Sequence, residues 1–371
     1  MPSEIDEKTD RLVRLCSRES LGGVLINSQP NFAWLTAGGR NGVDSSRENG
    51  VATLLLRRDG RRFVLASRIE MARILNEELN ADECEPLEFG WEDEKANPGS
   101  IAKLARSVMT QDMPLASDLP FPDVRLIDGL IARERYSLTD PEIERLRSLG
   151  RDAGRAIGDL ARSLAPGLTE SDVARRAKDA LAEIGADAVV TLVAADDRIK
   201  RYRHPLPKDV RWEKVLMIVV CARRHGLIVS LTRLVCAGPL PEELSRRTRA
   251  AANVNAQLFA STRPGITGRR LYEVAVNGYR GEGFPGEEAL HHQGGAAGYR
   301  TRDWIAHPLC EEVVQRNQAF AWNPSITGTK VEETIIAFDD EIEVITTTPG
   351  WPSILVEIQN RTYLLPDVFS V

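Results

Sequence analysis

Every histidine of the 371-residue chain lies beyond residue 200: His204, His225, His291, His292 and His307. An imidazole with an unperturbed pKa of about 6.5 can take a proton and return it at neutral pH. Around these histidines lie other groups able to handle a small charged molecule. Arg302 sits in the run RTRD at 300–303, and Glu332 and Glu333 sit in KVEET at 330–334. A guanidinium can grip a carboxylate with two parallel hydrogen bonds and so fix its orientation. A glutamate beside a histidine can orient it or match a cationic group. Acid–base chemistry on a small charged substrate is what these residue types could perform. Adjacent residues on a strand face opposite ways, so only one of His291 and His292, and one of Glu332 and Glu333, is expected to point into a cleft. His225, beside Arg223 and Arg224, reads as a polar strand connection, and His307 has no evident partner.

Metal and thiol chemistry find less support. The five cysteines, Cys16, Cys84, Cys221, Cys236 and Cys310, are scattered and form no C-x-x-C. Buried reduced thiols are therefore expected rather than a zinc or redox site. No Asp or Glu occurs anywhere in 214–240, a stretch that reads as two long strands.

These residues need a scaffold. Residues 6–18 read as a helix with Leu12, Leu15 and Cys16 on its apolar side. Residues 23–26, 51–56 and 114–117 read as strands, with helical patterns near 68–79 and 99–109. Asp59-Gly60 predicts a two-residue type I′ hairpin turn. Thr139-Asp140-Pro141-Glu142 is a helix start, with a capping residue, an early proline and acid in the first turn. Ile143, Leu146, Leu149, Ala153, Ile157, Leu160 and Leu164 follow at spacings of three or four. Thr169 and Asp172 form a capping box for a second helix. The pattern then repeats: Pro141-Glu142, a long helix and PGLT at 166–169 recur as Pro241-Glu242, a long helix and PGIT at 264–267. Each copy leads into β-rich sequence, so two related halves build residues 139–371 with a cleft at their seam.

Composition narrows the partners. The chain is 42% hydrophobic and 27% charged, with a formal net charge of −6. No basic run tracks phosphates, so nucleic acid is not an expected partner. The longest apolar stretch, 215–222, is far shorter than the roughly 18–20 residues that span a bilayer. The charged start MPSEIDEKTDRLVR has no apolar signal region. A cytoplasmic protein without membrane contact is expected.

The joint order of NFAWLTAG at 31–38, the PG-[LI]-T turns, S-x-T-R, H-x-x-G and N-P followed by V-E-E-T resembles the pita-bread family of methionine aminopeptidase, Xaa-Pro peptidases and creatinase. The resemblance implies an α/β (α+β) protein. A smaller creatinase-type N-terminal domain over 1–138 would precede a pita-bread domain with an internal pseudo-two-fold repeat over 139–371. Peptidases of this family hold two metal ions with two Asp, one His and two Glu. Carried over one at a time, these positions fall on Val219, Ser230, Gly295, Asn323 and Glu332. One carboxylate will not hold a dinuclear centre, so no metal and no cofactor is expected.

What survives resembles the metal-free creatinase branch. By that resemblance His204 is the catalytic histidine, with His291 and Glu332 beside it, and Arg302 holds a substrate carboxylate. Arg47 is implied to come from the other subunit of a homodimer, with the site near the interface. Thr232 stands where creatinase has a second glutamate for its guanidinium, so creatine itself is not the expected substrate. The implied function is a metal-independent hydrolase of a C–N bond in a small carboxylate-bearing molecule. A retired enzyme that keeps the fold as a small-molecule or peptide binding module is the alternative. An Xaa-Pro-type peptidase with an atypical metal site is a third.

Overall fold

The computed structural model describes residues 3–79, 84–110 and 112–371. The chain forms two compact units, Met1–Pro141 and Glu142–Val371.

In the first unit the helix Glu4–Arg18 is started by a capping box between Ser3 and Asp6 and buries Leu12, Leu15 and Cys16. A six-stranded mixed sheet runs in the order Glu85–Phe89, Arg62–Ser67, Asn49–Arg57, Gly23–Ser28, Leu115–Ser117, Arg125–Leu126. Leu25, Leu55, Phe63 and Leu65 pack beneath it with Ala105 and Leu115. The turn at Asp59-Gly60 differs from the sequence expectation. Four residues, 58–61, join the strands, and only Gly60 takes a positive φ, of 86°. Asp59 keeps a negative φ and accepts from the backbone N–H of Arg61 and from Arg57. The side chain thus holds this turn in place of the mirror-image backbone.

The tight two-residue hairpin lies elsewhere. His225 and Gly226 both adopt positive φ, 52° and 77°, and link Val215–Arg224 to Leu227–Cys236 in unbroken antiparallel register. This backbone is the type I′ turn, in which histidine is one of the tolerated residues.

The repeat read from sequence is the plan of the second unit. Helices Asp140–Ser163 and Glu170–Glu183 correspond to Glu242–Ser261 and Gly268–Gly281. Gly167 and Gly265 turn the chain with φ of 99° and 92°. Each donates its N–H to a carbonyl of a later segment, Trp212 and Val314 respectively. One sheet runs Phe369–Ser370, Leu227–Cys236, Val215–Arg224, Asp187–Ala195. A second runs Trp304–Ile305, Gly294–Ala297, Gln318–Trp322, Glu333–Ala337, Ile342–Val344. Thr334 joins them: its Oγ1 accepts from Ser230 N at 2.7 Å and donates to Ser230 O at 2.9 Å.

Glycines at every fourth position of the long first helix have a packing role that residue type alone did not reveal. At Gly150, Gly154 and Gly158 a Cβ would overlap Ile345, Thr347 and Thr348, so the bare helix face lies directly on residues 345–348. Thr348 Oγ1 donates to Gly154 O at 2.7 Å and accepts from Arg233 Nε at 2.9 Å. Gly154→Ala is expected to lower stability by about 2 kcal/mol through overpacking, and the melting temperature by several degrees. Gly281→Ala, where a Cβ meets nothing within 4 Å, is the control and should leave the calorimetric transition unmoved.

Candidate functional site

Three imidazoles meet at one place in the second unit. His204 follows the short helix Asp197–Arg201 and is exposed. Its Nε2 lies 3.1 Å from His291 Nε2. His291 is buried, and its Nδ1 lies 3.2 Å from Ser325 Oγ. The ring of His292 is 4.6 Å from that of His291 and 5.9 Å from that of His204, centre to centre. The expectation that only one of the adjacent histidines faces the cleft is corrected here. Strand alternation does not apply, because the pair precedes the strand Gly294–Ala297 in a bend after the 3₁₀ turn Glu287–Ala289.

Burial first, then the nearby cations, disfavours a charge on all three rings. His291 is pushed down to about 2 and His292 to about 4, and His204 falls below its ordinary value. Lys330 adds to the effect at each ring, and Glu332 opposes it at His204. Three neutral imidazoles therefore face one another at neutral pH.

Beside them Glu332 is buried with a 2% exposed surface. Thr232 Oγ1 donates to its Oε2 at 2.6 Å, Lys330 Nζ lies 2.9 Å from the same oxygen, and Arg302 Nη2 lies 3.4 Å from Oε1. Burial, the largest influence, pushes the Glu332 pKa up, but Lys330, Arg302 and Thr232 outweigh it and hold the carboxyl below its usual range. Arg302 also reaches Asn323 Oδ1 at 3.2 Å and Ser230 Oγ at 3.4 Å, while its Nε is buried without a hydrogen-bond partner. The Cys221 thiol, 3.2 Å from Ser230 Oγ, is pushed up by burial and so stays protonated.

Glu333 departs from expectation as well. It is no solvent-facing neighbour of Glu332 but equally buried, because it lies between Arg233 Nη2 at 2.9 Å and Thr346 Oγ1. Arg47 belongs to the first unit, where it is exposed and its Nε lies 3.1 Å from Asp44 Oδ2.

Sequence reasoning missed Lys330, Ser325 and His292. Lys330 and Ser325 are directly opposite in the small hairpin Ser325–Ile326 with Thr329–Lys330. One hairpin thus holds His291 through Ser325 and Glu332 through Lys330. A lysine at that position reads as solvated flank, since lysine is seldom buried unless paired. The available signal was K-x-E, which puts the two charges on one side of an extended chain. A clasp fixes the hairpin tip: Arg203 Nη2 contacts Glu287 Oε2 at 2.5 Å and donates to Thr327 Oγ1 at 2.9 Å, and Thr327 N donates to Glu287 Oε2 at 2.9 Å.

The profile of Metallopeptidase family M24 matches residues 144–347, more than half of the chain, and the chain belongs to that family. No curated protein matches it at a significant level. Solved structures share its fold. The prolidase from Pyrococcus horikoshii OT3 is 19% identical with a TM-score of 0.76, over 92% of this chain and 98% of that one. The Xaa-Pro dipeptidase from Bacillus anthracis is 16% identical with a TM-score of 0.76, over 99% of this chain and 100% of that one. The N-terminal domain of FACT complex subunit SPT16 from Cicer arietinum is 12% identical with a TM-score of 0.68, over 93% and 97%. No helix among the described residues is long and apolar enough to cross a membrane.

The residues present do not fit the dinuclear metal centre that the family's name implies. Val219 and Ser230 supply no carboxylate, and Asn323 is bonded to Arg302. At Gly295 a Cβ would collide with the Trp304 carbonyl, because this strand lies against its neighbour backbone to backbone. Two buried cations instead surround the one remaining carboxylate.

This balance has a pH signature. A carboxyl held below its ordinary value of 4.5 adds stability above that pH and loses it as pH falls through the lower folded value. In Lys330→Met, only Arg302 and Thr232 oppose burial, so the Glu332 pKa rises and less of this stability is present to be lost on acidification. Urea denaturation is expected to show a deficit of roughly 3 kcal/mol at neutral pH that shrinks on acidification. A pH-independent deficit would place Lys330 outside the pair.

Proposed function

We propose that this chain is a metal-independent hydrolase that cleaves a C–N bond in a small carboxylate-bearing substrate. The observation that carries this reading is the pair of cations around Glu332. With neutral histidines, Lys330 and Arg302 against one carboxylate leave a single uncompensated positive charge. Arg302 also keeps an unpartnered Nε–H. Such a site favours an anion, and a bidentate guanidinium suits a carboxylate.

In this reading His204 is the general base and then the general acid. In the tautomer in which His204 donates its Nε2–H to His291, its Nδ1 is left basic. It takes a proton from water as the water oxygen bonds to the substrate carbon, and returns that proton to the departing nitrogen as the C–N bond breaks. His291, oriented by Ser325, holds the His204 ring. Glu332 fixes Lys330 and Arg302 and through them positions the substrate carboxylate, with Thr232 bonded to it. Arg47 of the partner subunit would close the site in a homodimer. Neutral His204 below its ordinary pKa keeps the base competent into mildly acidic solution.

A second reading, a binding module, has support in the likeness to the SPT16 domain, whose name places it in a complex rather than naming an enzyme. The discriminating feature is the convergence of His204, His291, Arg302 and Glu332, which catalysis requires and binding does not.

The test is hydrolysis of a panel of N-acyl and N-carbamoyl amino acids by EDTA-treated protein. Turnover is expected without added metal. His204→Ala should lower kcat by about 10²–10⁴-fold with an unchanged circular dichroism spectrum. Activity that appears only with Mn²⁺ or Co²⁺, and on Xaa-Pro dipeptides, would overturn the reading and restore an atypical peptidase.

A further inference from the structure

We propose that His204, His291 and His292 form a mononuclear binding site for a borderline transition-metal ion, with Zn²⁺ the best match. This ligand set shares no residue with the positions that would build the family's dinuclear centre. Among the described residues it is the group of three His, Cys, Asp or Glu side chains whose ligand atoms all lie within 4.8 Å of one another.

Four observations converge. First, the Nε2 atoms of His204 and His291 are 3.1 Å apart. Two nitrogens on a tetrahedral Zn²⁺, each at about 2.0–2.1 Å, are separated by roughly 3.3 Å. The ion would thus take the place of the one hydrogen that these atoms share. Second, Ser325 Oγ on His291 Nδ1 is the outer hydrogen bond that fixes the tautomer and direction of a metal-binding imidazole. Third, His292 Nδ1 is buried with no hydrogen-bond partner, so its ring has an unmet polar demand. Fourth, His204 is the exposed member, and the widest separation of ring centres, 5.9 Å, lies between it and His292. Its exposure leaves the site open to solvent, so water can complete four-coordination.

Charge sets the selectivity. Lys330, Arg302 and Arg203 lie near the rings, but the first two are held by Glu332 and the third by Glu287. The residual positive field disfavours hard cations, which need anionic oxygens. Zn²⁺ and Co²⁺ gain enough from imidazole nitrogen to bind where Mg²⁺ and Ca²⁺ do not.

The site has a consequence that rests on the proposed function. A metal on Nε2 of His204 leaves the ring's proton on Nδ1, so no basic nitrogen remains. Zn²⁺ is then an inhibitor of the metal-free turnover.

The experiment is calorimetric titration of the EDTA-treated, desalted full chain with ZnCl₂ and, separately, MgCl₂, followed by the visible spectrum with CoCl₂. One equivalent of Zn²⁺ with a dissociation constant below ~10 μM is expected, together with the d–d bands of four-coordinate Co²⁺ and no Mg²⁺ uptake. His204→Ala and His292→Ala should each weaken binding by ~100-fold or more. His204→Ala removes an exposed ring and so tests the site even if His292→Ala fails to fold. His307→Ala should bind as the parent does. No Zn²⁺ uptake at about 100 μM, or uptake unchanged in both variants, overturns the site while leaving the proposed hydrolase untouched. Stoichiometric uptake that does not slow metal-free hydrolysis upholds the site and removes His204 from the role of base.

Discussion

A single carboxylate withdrawn from water governs the arrangement of this site. Glu332 cannot be buried and ionised unless positive charge is brought to it. In a relative with a dinuclear centre, metal ions would supply that charge. Here the ammonium of Lys330 and the guanidinium of Arg302 supply it. The exchange has structural consequences throughout the cleft. The strand pair Val215–Arg224 with Leu227–Cys236 is left without acidic side chains. Gly295 is drawn so close to its neighbour strand that no ligand side chain fits there. Asn323 serves as an acceptor for Arg302.

Fixed covalent cations differ from bound ions in one physical respect. They bring no open coordination position and do not acidify water by direct bonding. A catalyst built on them must find its base among side chains, and the nearest candidates are the neutral histidines on the other side of the hairpin Ser325–Ile326 with Thr329–Lys330. The opposition of Ser325 and Lys330 across that hairpin puts the support of His291 and the support of Glu332 on one element.

Much of the second unit was legible in sequence because its signals are local and repeated. The capping box of Thr169 and Asp172, the turns PGLT at 166–169 and PGIT at 264–267, and the helical spacing of Ile143 to Leu164 each report on a few neighbouring residues. His204, His291, Arg302, Thr232 and Glu332 could be named because their types and the family order agreed. What could not be read depends on distant partners. Lys330 looks solvated until Thr232 and Arg302 close around the Glu332 it pairs with, and Glu333 looks like a surface acid until Arg233 and Thr346 enclose it. His292 was misdirected by a rule for strands, which fails two residues before the strand begins. The glycines at 150, 154 and 158 carry no visible meaning until residues 345–348 are laid against them.

The clasp of Arg203, Glu287 and Thr327 draws together three stretches of chain that are far apart in sequence, and each stretch holds one working side chain or its support. Closing such loops costs entropy that no single stretch recovers alone. The three must therefore become ordered together, which makes the pocket one cooperative unit rather than a set of independently placed groups. Local opening at the clasp would release the histidines and the charge cluster in the same event, so the site would switch between whole and absent without passing through a half-assembled form.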